Sequence, residues 1–573
     1  MPVHNTDIQD CFNQVADLLE IKGANQFRVR AYRDAARTVG GLSRDAAEMV
    51  DHDEDLSQYS GIGKDLAGKI AEIAKTGKLS LLEDLKREMP GKLSALLNVS
   101  GLGAKRVAAL YEELDIDSVE DLQKAAENGE IQELEGFGPK TEQNVLDELQ
   151  RLGGEPVERT KIAVAEQFVL PLVEYLESGR GVKDIVVAGS YRRRCETVGD
   201  IDILATCKKG SPIMDRFVKY DDVKKVVSKG KTKSTVLLRS GLQVDLRVVA
   251  QVSYGSALLY FTGSKAHNIA VRKIAVKKKL KISEYGVFKG DDRVAGKTEE
   301  QVYKKVGLVY VEPEMREDRG ELDLARKNKL PELVTLKDIR GDLHVHTRRT
   351  DGHHSIKEIV AAVRERGYDY VAITDHSKSV TVANGLKPKE LEQQIDQIDK
   401  LNDSLDDVVI FKGSEVDILE DGSLDLPDSI LKRLDLTVCS VHSKFKLSRK
   451  KQTRRIVKAM QNKYFAILGH ATGRLIGERE PYDIDLEQIM KAAKKNNVVL
   501  ELNAHPDRLD LNDAHCKMAK DMGVKVVIST DTHRIDDLEY MRFGVNQARR
   551  GWLEAGDILN TLPRTKLRKA LRT

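Results

Sequence analysis

The chain has 573 residues, of which 40% are hydrophobic and 32% charged, with a formal net charge of +3. That balance excludes both a disordered chain and a globally basic one, so any surface for nucleic acid has to be a local patch. No run reaches the ~18 apolar residues of a membrane span, the amino-terminal "MPVHNTDIQDCFNQVADLL" lacks a signal-peptide pattern, and five scattered cysteines without a Cys-x-x-Cys exclude a disulfide framework or a zinc ribbon.

Residues 1 to about 153 read as helices, with apolar residues at helical spacing between glycine-containing turns. A short repeat recurs there: "SGIGKDLAGKI" (60–70), "SGLGAKRVAAL" (100–110) and "GFGPKTEQNVL" (136–146). Each is Gly-apolar-Gly followed by a helix start. Gly61, Gly63, Gly101, Gly103, Gly136 and Gly138 can take positive φ and let another backbone come close, while the helix offers unpaired N–H groups to a phosphate. Such a seat reads nucleic-acid backbone and not base sequence. One copy alone is an ordinary helical turn; three in one region point to binding.

From about 160 to 255 the pattern changes to short β-branched runs: "DIVVAGS", "DIDILAT", "STVLLRS" and "LQVDLRVVA". In "VGDIDILAT", Asp200 and Asp202 stand two apart on a predicted strand and share a face. Asp245, in "LQVDLRVV", brings a third carboxylate from another predicted strand. Three carboxylates in apolar strands suit two divalent ions that clamp an in-line phosphoryl displacement. The preceding "GSYRRRCETVGDIDIL" sets Gly189-Ser190 and three arginines ahead of the acids. The arginines, Arg193 best placed, are read as meeting nucleotide phosphates and not the aspartates.

Residues 256–317 mix helix and short strands, and the charged stretch 312–335 reads as a linker or docking strap. Strands and helices then alternate. "DYVAITDHS", "VVIFKGSEVD", "LTVCSVHS", "FAILGHAT", "VVLELNAH" and "KVVISTDTH" are six buried-type strands that end in polar residues, and "GDLHVHTRRTDG" ahead of them sets His344 and His346 on one strand face. This is the pattern of a parallel β/α barrel with function at the carboxyl ends of its strands. Ten of the 13 histidines lie after residue 340; a uniform spread would put about five there. His344, His346, Asp351, His376, Glu415, His442, His470, Asp531 and His533 sit at or just past those ends. Nine such ligands are too many for one tetrahedral ion and fit three. His353, His354, His505 and His515 match the strand ends less well and are read as surface or supporting residues.

The Gly-Ser, Asp-x-Asp and distant Asp set is the signature of the nucleotidyltransferase fold. With "YFTGSKAHNIAVR" (260–272), "AYRDAA" (31–36) and "SGIGKDLAGKI", residues 1–317 resemble family X DNA polymerases such as polymerase beta. The resemblance implies that Asp200 and Asp202 hold both metals and that Asp245 ligates the catalytic one. It implies that Gly189, Ser190, Arg193 and Gly263 serve the triphosphate, that Tyr260 and Phe261 flank the sugar, and that Asn268 and Arg272 face the nascent base pair. The hairpins would hold DNA backbone. Lys69 matches the lysine with which lyase members form a Schiff base; that role needs a depressed pKa, with Arg28 and Arg30 as the cations to lower it. Phe27 and Leu81 depart from the polymerase beta pattern, where a histidine and a basic residue stand.

Residues 336–573 resemble the PHP (polymerase and histidinol phosphatase) domain, a distorted seven-stranded barrel that binds three Zn²⁺ or Mn²⁺ ions. By that resemblance Glu415 bridges; His344, His346 and Asp531 complete one site, His442 and His470 a second, and Asp351, His376 and His533 a third. The expected fold is multidomain α+β and α/β. It has a helical lyase-like region (1–95), a fingers-like hairpin region (96–153), a palm (154–251), a thumb (252–317), a linker (318–335) and the barrel (336–573). The expected activity is gap-filling DNA synthesis from dNTPs with two Mg²⁺ ions, plus 3′→5′ exonuclease and, by resemblance, abasic-site endonuclease and 3′-phosphatase activity. Gapped or primer-template DNA is the expected partner. A cytoplasmic, nucleoid-associated monomer without membrane contact is the expected state. Two alternatives stand beside this reading: an end-processing nuclease whose polymerase half only binds DNA, and a template-independent nucleotidyltransferase.

Overall fold

The structure, a computed structural model, describes residues 3, 5–40, 46–59, 61–89, 93–97, 99, 102–134, 137–152 and 159–571. The chain divides into two compact units, Met1–Glu158 and Arg159–Thr573.

The first unit is helical, with helices Asn5–Ile21, Gln26–Gly40, Lys64–Thr76, Ala104–Leu114 and Pro139–Leu152 among its elements. One core gathers Ile8, Phe12, Val15, Tyr32, Ile70 and Leu82; a second gathers Leu96, Val107, Leu110, Leu122 and Leu149. The apolar residue of each Gly-apolar-Gly repeat is the anchor: Ile62, Leu102 and Phe137 are all buried. Gly63 and Gly103 cap the helices that follow them, and both have negative φ (−84° and −95°). The left-handed φ expected in each repeat occurs at Gly61 (φ +93°), where an added Cβ would stand 3.0 Å from Thr38 Oγ1. At Gly63, Gly103 and Gly138 a Cβ would meet nothing within 4 Å. Nothing inside the unit therefore demands glycine at those three positions. Gly101 and Gly136 lie outside the described residues.

The second unit opens with the helix Ile162–Glu177 and a five-stranded sheet. Its strands are β1 (Val182–Val187), β2 (Asp200–Cys207), β3 (Val223–Lys229), β4 (Lys233–Leu238) and β5 (Gln243–Val248), in the order β1-β2-β5-β4-β3. β2 and β5 run parallel; the other pairs are antiparallel. Four of the five match the β-branched runs of the sequence. The fifth, β3, is an exposed edge strand of sequence VKKVVSK. Its lysines hide it from a hydrophobic pattern and protect the open edge from pairing. The helices Tyr254–Thr262 and Lys265–Lys277 follow, then a small antiparallel sheet over 281–295 and the helix Glu299–Lys305.

The charged stretch 312–335 is not a free linker. Met315, Leu322, Ala325 and Leu333 are buried in the core of the preceding helices, together with Trp552 from near the chain end. Arg316 is wholly buried, with Nη1 on Glu299 at 2.6 Å and Nε on the Val311 carbonyl at 2.9 Å. Part of the charge here is paired internally, as at Arg316, while Asp323, Arg326, Lys327, Lys329 and Glu332 are exposed.

Seven parallel strands, all within the described residues, close the barrel: β6 (Gly341–Val345), β7 (Tyr370–Ile373), β8 (Val409–Lys412), β9 (Val438–Ser440), β10 (Ile467–Leu468), β11 (Val499–Asn503) and β12 (Val526–Ser529). Beyond Gly413 and Ser414, Glu415–Asp417 continues β8, pairing with His376 on one side and with β9 on the other. The ring closes where Val345 pairs with Thr532. The helix Met541–Arg550 then packs Met541, Val545 and Ala548 into the barrel core, while Phe543 and Leu509 join the core of the five-stranded sheet domain.

Two candidate metal centres

The first centre lies on the sheet. Asp202 on β2 is the direct partner of Asp245 on parallel β5, and Asp200 precedes it by two. Burial, then the charges of Asp200 and Asp245, push the Asp202 carboxyl up to about 6. Asp245 accepts from Thr235 Oγ1 at 2.7 Å and from Lys233 Nζ at 2.9 Å. Gly189, two residues past β1, opens the helical turn Gly189–Arg192 with φ +62°, and a Cβ there would stand 3.3 Å from Asp202 Oδ2. That clearance is a steric reason for glycine ahead of Ser190. The helix Tyr254–Thr262 packs Ala257 and Leu258 on Ala188 and Leu204. This brings Phe261 under Arg247, 4.5 Å from guanidinium carbon to ring centre, two residues along β5 from Asp245. Tyr260 meets Phe261 edge to face, at 5.0 Å between ring centres. Asn268 Nδ2 donates to the Tyr260 carbonyl at 2.7 Å, and Tyr260, Asn268 and Arg272 line one shallow pocket.

The arginines avoid the aspartates. Arg192 binds Glu299 (2.7 Å) and Thr262 Oγ1 (2.7 Å). Arg193 sets Nη1 on the Thr262 carbonyl at 2.6 Å and Nε on Glu317 at 3.1 Å. Gly263 (φ +70°) leaves room for it: a Cβ would come within 3.2 Å of Arg193 Nη1.

The second centre fills the carboxyl-end mouth of the barrel and brings together all nine residues expected there. Glu415 is at its middle. His376 Nδ1 lies 2.9 Å, His470 Nε2 3.0 Å, His442 Nε2 3.2 Å, His344 Nε2 3.4 Å and His346 Nε2 3.6 Å from its carboxylate. Asp531 lies 3.2 Å from His346 Nε2, and Asp351 lies 3.4 Å from His376 and 3.3 Å from His533. Three clusters of ligand-type atoms result: His344, His346 and Asp531; His376, Glu415 and His442; and His346, Asp351, His376 and His533. Two of them contain the expected sets; in the middle one His376 stands where His470 was expected. The aspartates of the sheet form no group as tight, since Asp245 is turned onto Thr235 and Lys233.

The donor set fits divalent cations. His344 Nε2, both nitrogens of His346, His376 Nδ1, His470 Nδ1 and Asp351 Oδ1 are buried without a hydrogen-bond partner. Burial disfavours charged imidazoles, yet the facing carboxylates push His376 up to about 10 and His442 and His533 up to about 9. His346, buried and crowded by His376, falls to about 4. Carboxylates that raise their imidazole neighbours in this way also favour bound cations.

Sequence reasoning missed the carboxylates behind the ligands. Glu501 meets His344 Nδ1 at 2.6 Å and accepts the His470 N–H at 2.7 Å. Asp417 lies 3.3 Å from His442 Nδ1. Asp375 gathers Thr347, Thr350 and Gln394. Their signal was present: each is an acid within or next to an apolar strand.

Lys69 runs against expectation. Its ammonium bonds Asp65 and sits 5.9 Å above the Tyr32 ring. Partial burial pulls its pKa down, but Asp65 and Tyr32 outweigh that and hold it above the usual lysine value. Arg28 and Arg30 are exposed. The lowered pKa that a Schiff-base amine needs is not produced here.

Known families match along the chain. A helix-hairpin-helix domain matches residues 3–79, a SAM-like helix-hairpin-helix tandem 93–151, the DNA polymerase beta palm 157–255, the DNA polymerase beta thumb 257–317 and the PHP domain 342–505. The DNA polymerase/3′-5′ exonuclease PolX of Bacillus subtilis (strain 168) is 39% identical over 562 residues, 97% of either chain. The chain belongs to the PHP-bearing family X DNA polymerases. Two further relatives match in part. DNA polymerase lambda of Rattus norvegicus is 25% identical over 55% of this chain and 56% of its own. A protein named probable phosphatase of Thermoanaerobacter sp. (strain X514) is 29% identical over 38% of this chain and 90% of its own. The family X assignment accounts for both centres in one polypeptide: an aspartate triad on a palm sheet and a histidine-rich centre in a PHP barrel.

Proposed function

We propose that the chain is a DNA repair enzyme that fills short gaps from dNTPs and trims 3′ ends. The observation that carries this is the presence in one chain of two separate acid-and-ligand centres, Asp200, Asp202 and Asp245 on the palm and nine ligands around Glu415 in the barrel. The palm aspartates would hold two Mg²⁺ ions, which when bound clamp the attacking and leaving oxygens of an in-line displacement. Ser190 and Arg193 would bind the triphosphate, with Gly189 giving clearance to Asp202 and Gly263 to Arg193. Tyr260 and Phe261 would floor the sugar, and Asn268 and Arg272 would meet the base pair from their shared pocket.

The barrel residues would hold three Zn²⁺ or Mn²⁺ ions, which when bound activate water against a phosphodiester. Buried Glu501 and Asp417 orient His344 and His442 for that task. The likeness to a protein named probable phosphatase supports a second reaction at this centre, removal of a 3′-phosphate. Gly63, Gly103 and Gly138 would let DNA backbone approach the helix starts, since nothing within the unit fills the space before them. We take the working enzyme as a cytoplasmic monomer; no described helix is long and apolar enough to cross a membrane.

The test is a pair of double variants on a one-nucleotide gap. Asp200→Ala with Asp202→Ala abolishes nucleotide addition and spares 3′ trimming; His344→Ala with His346→Ala does the reverse. A folded double variant that lost both reactions would refute two independent centres.

A further inference from the structure

Among the side chains by which the barrel meets the palm, one reaches the turn that carries Ser190 and Arg193. Arg550, the last residue of the helix Met541–Arg550, is buried and makes three bonds. Nη1 donates to the main-chain carbonyl of Arg193 at 2.9 Å and to Glu317 at 3.0 Å, and Nη2 donates to Asp513 at 2.7 Å. Glu317 in turn holds Arg193 Nε at 3.1 Å. Arg319 Nη1 adds a second cation on Asp513 at 3.0 Å. One barrel guanidinium therefore grips both the backbone and, through Glu317, the side chain of Arg193.

The place of that grip matters. Gly189–Arg192 is a single helical turn bearing Ser190, and Arg193 is its closing residue. Within it the N–H groups of Arg193, Arg194 and Cys195 satisfy the carbonyls of Gly189, Tyr191 and Ser190 at 3.3, 3.0 and 3.1 Å, while the carbonyl of the closing residue, Arg193, needs an outside donor. Arg550 supplies one. The same helix adds Gln547 on Glu196 at 3.4 Å, Arg542 on Glu166 and Arg549 on Glu314 at 2.8 Å. Arg474, from the loop after β10, binds Glu196 at 2.6 Å. The barrel thus holds the palm along a seam of charge pairs, of which Arg550 is the link to the turn carrying Ser190 and Arg193.

We infer that Arg550 is a positioning residue for DNA synthesis, setting the geometry of the triphosphate-binding turn from within the PHP barrel. This rests on the reading that Arg193 meets the triphosphate. It makes the barrel a component of the polymerase site and not an appended nuclease. The guanidinium bonds Arg193, Glu317 and Asp513, none of them among the twelve metal-ligand residues. Its loss should therefore weaken nucleotide binding and leave the barrel's own reaction alone.

The experiment measures dNTP affinity of the full chain on gapped DNA with a dideoxy-terminated primer, beside DNA affinity and 3′ trimming. Arg550→Met is expected to weaken dNTP binding about ten-fold, because small displacements of a positioned group are costly. DNA affinity and trimming should stay within two-fold by the same measure. Arg550→Lys should recover part of the loss. Arg193→Ala should weaken dNTP binding, and the double variant Arg193→Ala with Arg550→Met should be no weaker than Arg193→Ala alone. Unchanged dNTP affinity in folded Arg550→Met, or losses that simply add in the double variant, would overturn the inference. Unchanged affinity in Arg193→Ala would instead overturn the triphosphate reading beneath it. Should Arg550→Met fail to fold, Glu317→Ala decides: it removes the acceptor shared by Arg193 and Arg550 and leaves Arg550 on Asp513 and the Arg193 carbonyl. Weakened dNTP binding then supports the inference and unchanged binding ends it.

Discussion

His344 Nδ1 lies 2.6 Å from Glu501 Oε1, with both side chains fully buried. Glu501 fixes which face of the imidazole looks inward, and its other oxygen pins the backbone of His470. One carboxylate thus orients two ligands, His344 on β6 and His470 just past β10.

Glu501→Gln should lower metal content and 3′ trimming about 10- to 100-fold, the usual cost of losing such a support. Gap filling should be unaffected. Metal analysis of the purified variant beside a nuclease assay checks this; full metal occupancy with normal trimming would sink it.

The glycine substitutions should divide by cause. Gly63→Ala and Gly103→Ala keep an ordinary φ and meet no atom within 4 Å, so melting temperature should not move. Binding of gapped DNA should weaken in both, and equally for unrelated sequences. Gly61→Ala must hold φ +93° against Thr38 and should cost about 1–2 kcal/mol of stability. Thermal melts and salt titrations of DNA binding separate the two classes. Loss of stability in Gly63→Ala with unchanged DNA affinity would reverse the assignment.

The barrel–palm seam should open in acid. Burial alone would raise Asp513 and Glu317, but Arg550 and its neighbouring arginines hold both below their usual carboxylate values. A carboxylate depressed in the folded state adds stability above its unfolded pKa and loses it as pH falls through the folded one. The contribution is therefore whole near neutrality and drains away below about pH 4. Asp513→Asn should melt lower than the parent near neutral pH, and the gap should shrink on acidification. A gap that widened in acid would contradict the charge pairing.

Borohydride trapping on a 5′-incised abasic site should give no adduct that depends on Lys69, because Asp65 and Tyr32 hold its ammonium charged. An adduct lost in Lys69→Ala would show that DNA binding rearranges this contact.

The barrel centre was legible because its chemistry follows the fold's period: ligands at the ends of six of the seven strands survive as a pattern in one dimension. The aspartate triad was legible for the same reason, acids being costly inside apolar strands. What stayed hidden depends on distant pairing. Lysine-rich β3 has no hydrophobic signal, since an edge strand exposes most of its side chains. Arg316 and the strap around it look solvated until Glu299 and Val311 are brought to them. The raised pKa of Lys69 was not legible because Asp65, which holds its ammonium, sits one helical turn away on the same helix, and an i,i+4 pair looks like surface decoration.

The helix Met541–Arg550 gives Met541, Val545 and Ala548 to one core, Phe543 to another, and Arg550 to the turn beside Ser190. Its residues answer to two catalysts at once. A substitution there that suits the nuclease is also judged by the polymerase, so drift in one half is checked by the other. The strap sharpens the same bond: parting the gene near residue 335 would bare Leu333 and Trp552, which share a core across that cut. Two separate genes could inherit this chain's reactions only after inventing new surfaces for both products.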